Sequence, residues 1–377
     1  MTNKNYDQDP RSADTDPGKN DTETKDKFGL RSSLRTVSSS PHIRSDFTVT
    51  SLMGDVILAL LFPLAWGVYI FGFRALSLTL VSVISCVFFE ALYELIMRKA
   101  YTVKDLSAVV TGMLIAFNLP VNAPLWLPVA GGAFAILIVK MLFGGIGKNI
   151  VNPAIAARIF LFISFPRYLS SYFNIEAEKI SPFAVQPDFD ALTSATPLTF
   201  LKRGELPDVD IFRLLLGQHG GTIGEVSSLL LVACGFYLLI KKVISWHIPF
   251  AFLGTVAGIS LLFPRLNGEF VFMPAGFWTG RPVIGDAAMF MLCGLLSGGL
   301  ILGAVFMATD YVTSPITKKG KLIFGAGCGL ITVFIRYFGG YPEGVAFSIM
   351  IMNMFVWYLD KVTKPVIFGG GKNAGKQ

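Results

Sequence analysis

The stretch Gly112-Met-Leu-Ile-Ala-Phe-Asn118-Leu-Pro-Val-Asn122-Ala-Pro124 has a counterpart in the second half of the chain. That counterpart is Gly303-Ala-Val-Phe-Met-Ala-Thr309-Asp310-Tyr-Val-Thr313-Ser-Pro315. The first part of each stretch is the end of an apolar run. The second part contains polar residues and a proline. Phe143-Gly144-Gly145 likewise recurs as Phe338-Gly339-Gly340. These pieces predict an internal repeat, in which each polar break ends a short or interrupted helix that lines something other than lipid.

The composition is typical of an integral membrane protein. Of 377 residues, 53% are hydrophobic and only 15% are charged, which is more apolar surface than one soluble core can bury. The net charge is +7, but Lys and Arg are not interleaved with aromatic residues along a groove-sized stretch, so nucleic acid is not an expected partner. The four cysteines lie in or beside apolar runs, and we expect buried thiols, neither disulfides nor metal ligands.

Ten apolar runs are candidates for membrane spans, and most reach the roughly twenty residues that a helix needs to cross about 30 Å of hydrocarbon. They lie at 53–72, 75–97, 106–121, 126–145, 149–167, 226–243, 246–264, 297–313, 320–338 and 342–360. A further apolar piece at 284–296 is ambiguous: it is either a separate re-entrant or interfacial element or the start of the eighth span. Because five spans per half is an odd number, the second half must be inverted relative to the first. The predicted fold is therefore an all-α membrane protein of about ten helices in a 5+5 inverted repeat.

This pattern predicts five parts of the chain. They are a disordered cytoplasmic tail (1–46), a first five-helix repeat (47–167), an external loop (168–225), a second repeat (226–362) and a cytoplasmic tail (363–377). The first part is polar and almost free of aliphatic residues, so it cannot offset its ordering entropy by burial. The orientation follows from the positive-inside rule. Basic residues are concentrated in alternate loops, at Arg98, Lys99, Lys104, Lys148, Lys241, Lys242, Lys318, Lys319, Lys321, Lys361 and Lys364.

The external loop contains Asp190-Ala-Leu-Thr193-Ser194-Ala195-Thr196-Pro197-Leu198. Pro197 disfavours helical geometry at the preceding residue, so Thr196 is expected to be extended. Its small neighbours are expected to leave the hydroxyl open to a large incoming group. Two interpretations follow from these residues alone: an attachment site for such a group, or an ordinary Ser/Thr-rich surface loop.

A second polar stretch, Gly144-Gly145-Ile-Gly147-Lys148-Asn149-Ile-Val-Asn152-Pro153, introduces the fifth span. Glycines allow close backbone approach, and proline suits the first turn of a helix, so amide groups and two carboxamides converge at a helix start. A neutral ligand rich in carbonyl groups suits that chemistry. The alternative is a cytoplasmic turn with capping asparagines.

Charged residues inside the apolar runs are expected to face the protein interior, because a lone charge facing lipid costs at least a few kcal/mol. Glu90 and Asp310 are the candidates for a cation or proton path. Arg158 and Arg336 are expected to pair with carboxylates, hold a ligand or serve assembly, and Glu343 opens the tenth span. Glu94 and Arg98 have the spacing of an i,i+4 ion pair at the membrane rim.

From about residue 40 to about 368, the chain resembles the RnfD and NqrB subunits of ion-translocating redox complexes. The motifs that carry the resemblance are F-G-G-x-G-x-N-x-x-N-P at 143–153, the threonine motif at 190–198, W-H-I-P at 246–249, and the stretches 309–313 and 338–344. The W-H-I-P piece resembles RnfD more, whereas G-x-I-G-E-V-S at 221–227 is shared with NqrB. Two residues depart from the family pattern: Ser194 replaces a common glycine, and Tyr311 replaces a usual proline.

The resemblance implies a fold similar to urea and ammonium channels and a protein that is not active alone. It implies FMN joined to Thr196 through a phosphoester by a flavin transferase, and a second, non-covalent flavin, identified in relatives as riboflavin. The complex would contain other Rnf-type subunits in a bacterial cell membrane, and it would couple electron transfer between ferredoxin and NAD to Na⁺ or H⁺ movement. The residues implied are Asp190, Thr193, Ser194, Ala195 and Thr196 for FMN, Asn149 and Asn152 for the inner flavin, and the two arginines as alternatives for holding a flavin. The alternatives are an NqrB-like subunit of a Na⁺-pumping NADH:quinone oxidoreductase and a passive channel or permease on the same scaffold.

Overall fold

The computed structural model describes residues 48–99, 101–170, 172, 196–207, 211–217, 220–225, 227–266, 268–272, 283–341 and 343–365. All of these belong to the compact unit Phe47–Gln377. The described chain is mostly helical, so the prediction of a helical membrane protein is confirmed.

The first half contains α1 (Val49–Phe71), α2 (Phe73–Ile96), α3 (Ser107–Phe117), α4 (Trp126–Ala133), α5 (Pro153–Ser164) and α6 (Pro166–Leu169). The remaining helices are α7 (Pro197–Arg203), α8 (Ile211–Leu216), α9 (Ser228–Ile240), α10 (His247–Leu262), α11 (Val283–Leu296), α12 (Leu300–Leu302), α13 (Lys318–Phe338) and α14 (Val345–Thr363). Two π-helical segments continue α4 and α12, at Phe134–Met141 and Gly303–Met307. Short 3-10 turns lie at Val103–Asp105 and Ile223–Glu225. A small antiparallel hairpin pairs β1 (Arg265–Leu266) with β2 (Glu269–Phe270).

Four of the described helices, α1, α2, α13 and α14, are long and apolar enough to cross a membrane. A fifth span results if α11 and α12 with its π-helical continuation form one element, which is bent by 60°. Five shorter apolar helices accompany them in the described part of the chain. Each predicted apolar run contains a helix, and the ambiguous piece 284–296 is α11, which leads through the bend into α12.

Local sequence explains where these helices begin and end. Gly72 separates α1 from α2 with φ at 81°, a left-handed conformation that glycine adopts without a steric penalty. Asn152 caps α5 by accepting hydrogen bonds from the amides of Ala154 and Ile155, and Pro153 occupies the first turn. The four cysteines are buried and free, as predicted.

Both predicted polar breaks lie at helix ends, and the two ends meet inside the protein. Helix α3 ends at Phe117, and the π-helical segment of the second half ends at Met307. The side-chain nitrogen of Asn118 lies 3.5 Å from the Met307 sulfur, and Asn152 donates to the Met307 carbonyl at 3.1 Å. The two halves of the chain are thus joined where α3 and the segment Gly303–Met307 end.

A segment of the polar insertion packs onto the break after α3. The Ile223 amide donates to the Leu119 carbonyl at 3.0 Å, and Thr222 forms a β-bridge with Pro120. A Cβ atom on Gly224 would lie 2.8 Å from the Phe117 carbonyl oxygen and 2.6 Å from the Leu302 side chain. Only glycine fits this contact, so the segment is closely packed between the two halves.

Candidate functional site

A cavity of about 360 Å³ lies between the two halves, in the size range of small-molecule sites. Its wall is mostly apolar and is built by α1, α3, α9 and the two π-helical segments with the loops that adjoin them. The polar residues that line it are Ser107, Thr111, Lys140, Asn149, Asn152, Thr309 and Asp310. The structure therefore brings three predicted site residues, Asn149, Asn152 and Asp310, to one cavity, together with a lysine that was not predicted.

Lys140 and Glu90 form an ion pair in the interior of the protein. The ammonium nitrogen lies 2.6 Å from Glu90 Oε1 and 2.6 Å from the Ser107 hydroxyl, and the two charged side chains are 2% and 0% exposed. Lys140 belongs to the π-helical continuation of α4, a geometry that is frequent at functional sites. A single lysine inside the apolar run 126–145 was the available signal, since a cation in a span needs a partner.

Glu94 binds the chain that follows α2, so the predicted Glu94–Arg98 pair is wrong. The Thr102 amide donates to Glu94 Oε1 at 2.9 Å, and the Thr102 hydroxyl contacts Glu94 and, at 3.2 Å, Glu90. Arg98 lies beyond the helix end with φ at 50°, where the i,i+4 geometry of a helix no longer holds. Thr102 thereby links Glu94 to the Glu90–Lys140 pair.

The two asparagines of the cavity differ in what they can offer a ligand. The Asn152 oxygen accepts from backbone amides at the start of α5, and its nitrogen donates to Met307. Its carboxamide is therefore committed to joining the two halves. The Asn149 side-chain oxygen is buried and has no hydrogen-bond partner among the described residues. Of the two carboxamides that were expected to converge on a ligand, only that of Asn149 therefore has an oxygen to offer it.

Asp310 lies on the cavity wall just after the π-helical segment of the second half. It accepts a hydrogen bond from the Thr313 hydroxyl at 3.0 Å. The neighbouring Tyr311 donates its phenol hydrogen to the Val243 carbonyl, which ties the break to the turn before α10. The carboxylate therefore has a fixed position on the cavity wall.

A second group of charges lies near the segment of the polar insertion that packs against the break. Arg158 forms an ion pair with Glu343 and donates to the Asn118 side chain. Arg336 donates instead to the carbonyl oxygens of Gly294, at 2.6 Å, and Ser297, at 3.3 Å.

Glu225, which was not predicted, belongs to this second group. It is only 5% exposed, and its negative charge stabilises the positive charges of both Arg158 and Arg336. Burial, followed by the charge of Glu225, raises the pKa of Tyr172 to about 12.

Thr196 lies apart from the cavity, at the start of α7. Its backbone is extended, with φ −76° and ψ 153°, as the following proline predicts. Its side chain is only 6% exposed, and its hydroxyl lies 2.8 Å from the Thr199 hydroxyl, so the expectation of an open hydroxyl is wrong. Helix α7 packs against α11, because Leu198 and Leu201 share an apolar cluster with Phe290. This packing explains why Thr196, at the start of α7, is buried. The remaining predicted motif residues, Asp190, Thr193, Ser194 and Ala195, lie outside the described residues.

Comparison with known proteins identifies the family of this chain. The profile of the NQR2, RnfD, RnfE family matches residues 36–369. A subunit of the Na⁺-translocating ferredoxin:NAD⁺ oxidoreductase complex of Acetobacterium woodii is 46% identical, over 89% of this chain and 95% of the relative. The corresponding subunit of the proton-translocating ferredoxin:NAD⁺ oxidoreductase complex of Clostridium ljungdahlii is 38% identical, over 90% of this chain and 98% of its own. A subunit of the ion-translocating oxidoreductase complex of Stutzerimonas stutzeri is also 38% identical, over 85% and 92%. The chain therefore belongs to the NQR2, RnfD, RnfE family.

Proposed function

We propose that this chain is the flavin-carrying membrane subunit of a complex that couples electron transfer between ferredoxin and NAD to Na⁺ or H⁺ translocation. Relatives that align over nearly their whole length carry the names of such subunits. The observation that carries the redox role is the cavity between the two halves, with Lys140 and Asn149 on its wall. The other subunits of the complex and a flavin transferase are the partners that this role requires.

Thr196 is the proposed attachment point of FMN. Its hydroxyl does not cap α7, and the contact described for it is with the Thr199 hydroxyl, so esterification would sacrifice one hydrogen bond and leave the helix start intact. Since Thr196 is buried, the transferase must act before the surrounding chain closes or on an opened form. FMN would supply one-electron redox chemistry, while the chain supplies anchoring and tuning.

The cavity has the chemistry for a second, non-covalent flavin, which we propose to be riboflavin. Asn149 offers an unpartnered acceptor oxygen. The Lys140 ammonium has three N–H groups and uses two of them on Glu90 and Ser107, which leaves one donor. Apolar side chains such as Leu114 and Phe306 provide surfaces for the faces of a flat ring. The positive charge of Lys140 would stabilise negative charge on a reduced ligand.

The 5+5 inverted repeat is supported by the way in which the helices pack. The first helices of the two halves, α1 and α9, contact each other, and so do the fifth helices, α5 and α14. Within each half the second helix packs on the fourth, α2 on α4 and α10 on α13. We propose that the termini are cytoplasmic and the FMN loop external. The ion path would use Glu90 and Asp310, because one binds Lys140 and the other lies on the wall of the cavity that Lys140 lines.

Co-expression with a flavin transferase tests the FMN assignment. After denaturing electrophoresis, the parent chain is expected to fluoresce under ultraviolet light, and Thr196→Ala is expected to be dark. Thr199→Ala is the matched control, because it removes the partner hydroxyl and keeps the acceptor. Fluorescence of Thr196→Ala equal to the parent would refute the assignment.

The inner flavin is tested separately, by acid extraction of the purified chain. Asn149→Ala is expected to lower the extractable flavin per chain and to leave covalent FMN unchanged. Lys148→Ala is the control, since this neighbouring residue is exposed and does not line the cavity. Equal extractable flavin in the parent and Asn149→Ala would show that the cavity does not hold the flavin.

A further inference from the structure

An open groove of about 640 Å³ lies on the protein surface of the second half and adjoins the cavity. It is lined by the end of α9 and the turn before α10, together with Tyr311 and Lys321. The described residues that line the groove all lie outside the predicted FMN loop. The proposed redox function does not use this groove.

One end of the groove is apolar and faces outward. Phe236 and Ile240 on α9 are 61% and 79% exposed, although both are large hydrophobic residues. On a membrane protein, such a surface is covered by lipid chains, which are as apolar as the side chains themselves. The apolar end of the groove thus continues the lipid-facing surface of α9.

The other end of the groove is basic. Lys242 and Lys321 both line it, and Lys241, Lys318 and Lys319 are exposed nearby in sequence. The two ion pairs found among the described residues, Lys140–Glu90 and Arg158–Glu343, lie elsewhere. The lysines of this end therefore have positive charge to offer an anionic ligand.

Two aromatic residues also belong to the lining of the groove. Trp246 and Tyr311 line the groove and are 53% and 52% exposed. Trp and Tyr are enriched at the level of lipid headgroups, where one side of the ring is apolar and the other is wet. The groove thus combines apolar, aromatic and basic side chains, which are the groups that suit the acyl chain, the interface and the phosphate of a phospholipid.

We infer that this groove binds an anionic phospholipid, with its phosphate between Lys242 and Lys321 and an acyl chain along α9. Basic pockets between membrane helices recognise anionic headgroups in this way. Inorganic phosphate would satisfy the lysines and leave the apolar end uncovered. The bound lipid would also contact the cavity wall, because Tyr311, Val243 and Ile244 line both the groove and the cavity.

Native mass spectrometry of the full chain tests this inference. The chain is released from vesicles of phosphatidylglycerol and phosphatidylcholine, and the bound lipid is counted. Lys242→Gln/Lys321→Gln is expected to weaken phosphatidylglycerol binding roughly 30-fold, from the contribution of two lysines near a membrane surface. Lys242→Arg/Lys321→Arg is expected to keep binding, because it keeps both charges.

Lys99→Gln/Lys104→Gln is the matched control, since it removes the same charge from exposed lysines that do not line the groove. Equal phosphatidylglycerol binding by the two Gln variants would overturn the inference. Displacement of the lipid by an equal concentration of inorganic phosphate would show a simple anion site and would also overturn it. A lipid-free groove that cross-links through Lys242 to another protein of the purified complex would overturn it as well, because the groove would then be a protein interface.

Discussion

The buried Lys140–Glu90 pair leads to a quantitative prediction about stability. Lys140→Met leaves Glu90, which is 0% exposed, without the cation at 2.6 Å. Removing one partner of a buried ion pair costs about 3–5 kcal/mol, because the remaining charge stays desolvated. Thr102 still binds Glu90, so we expect a cost near the lower end, about 3 kcal/mol. Glu90→Leu is expected to cost a similar amount, since Ser107 still binds Lys140.

The double variant Lys140→Met/Glu90→Leu separates the ion pair from simple packing. Replacement of both charges by apolar side chains of similar volume is often neutral or stabilising. We therefore expect the double variant to be within about 1 kcal/mol of the parent, which gives a large coupling free energy in a double-mutant cycle. Lys148→Met is the control, as it removes an exposed lysine eight residues further along the chain.

Unfolding in detergent can be followed by labelling of thiols, because Cys86, Cys234, Cys293 and Cys328 are all buried. The single variants are expected to unfold at lower denaturant concentration than the parent, and the double variant close to the parent. Two results would contradict this reasoning. One is a cost below about 1 kcal/mol for Lys140→Met, and the other is a double variant whose cost equals the sum of the two single costs.

Two further variants test the ion path and the packing between the halves. Asp310→Asn is expected to impair ion transport in sealed vesicles more than FMN attachment, since its carboxylate lies on the cavity wall and far from Thr196 in sequence; equal transport by variant and parent would remove Asp310 from the path. Gly224→Ala is expected to destabilise the chain by about 1–3 kcal/mol through overpacking against Phe117 and Leu302, measured by the same thiol labelling. Its control, Gly254→Ala, adds a Cβ into open space on α10 and is expected to be harmless, so equal effects of the two substitutions would argue against the close packing of Gly224.

The membrane helices could be predicted from the sequence because hydrophobic runs and polar breaks are local signals. The polar breaks within 112–124 and 303–315 predict short or interrupted helices, and the structure ends these helices at Phe117 and Met307. The π-helical geometry of Phe134–Met141 was not predictable, because it depends on packing and leaves no mark in the hydropathy. The hairpin of β1 and β2 has two residues per strand, which is too short for a periodic pattern.

The candidate site could be predicted only in part, because its contacts are long-range. The local sequence marks Asn149 and Asp310 as candidate site residues, but nothing local brings them to one cavity. The partner of Glu90 is Lys140, 50 residues away, and the only local sign of this pair is a charged residue inside the apolar run 126–145. Thr196 was predicted to be extended from the adjacent proline, whereas its burial depends on the packing of α7 against α11, which no spacing reveals.

The mass of the peptide that contains Thr196 tests the central proposal most directly. The chain is purified after expression beside a working flavin transferase, and the peptide is fragmented to locate any modification. We predict one FMN phosphoester on the Thr196 oxygen. An unmodified Thr196, with the rest of the chain intact and the transferase active on another substrate, would contradict the proposal.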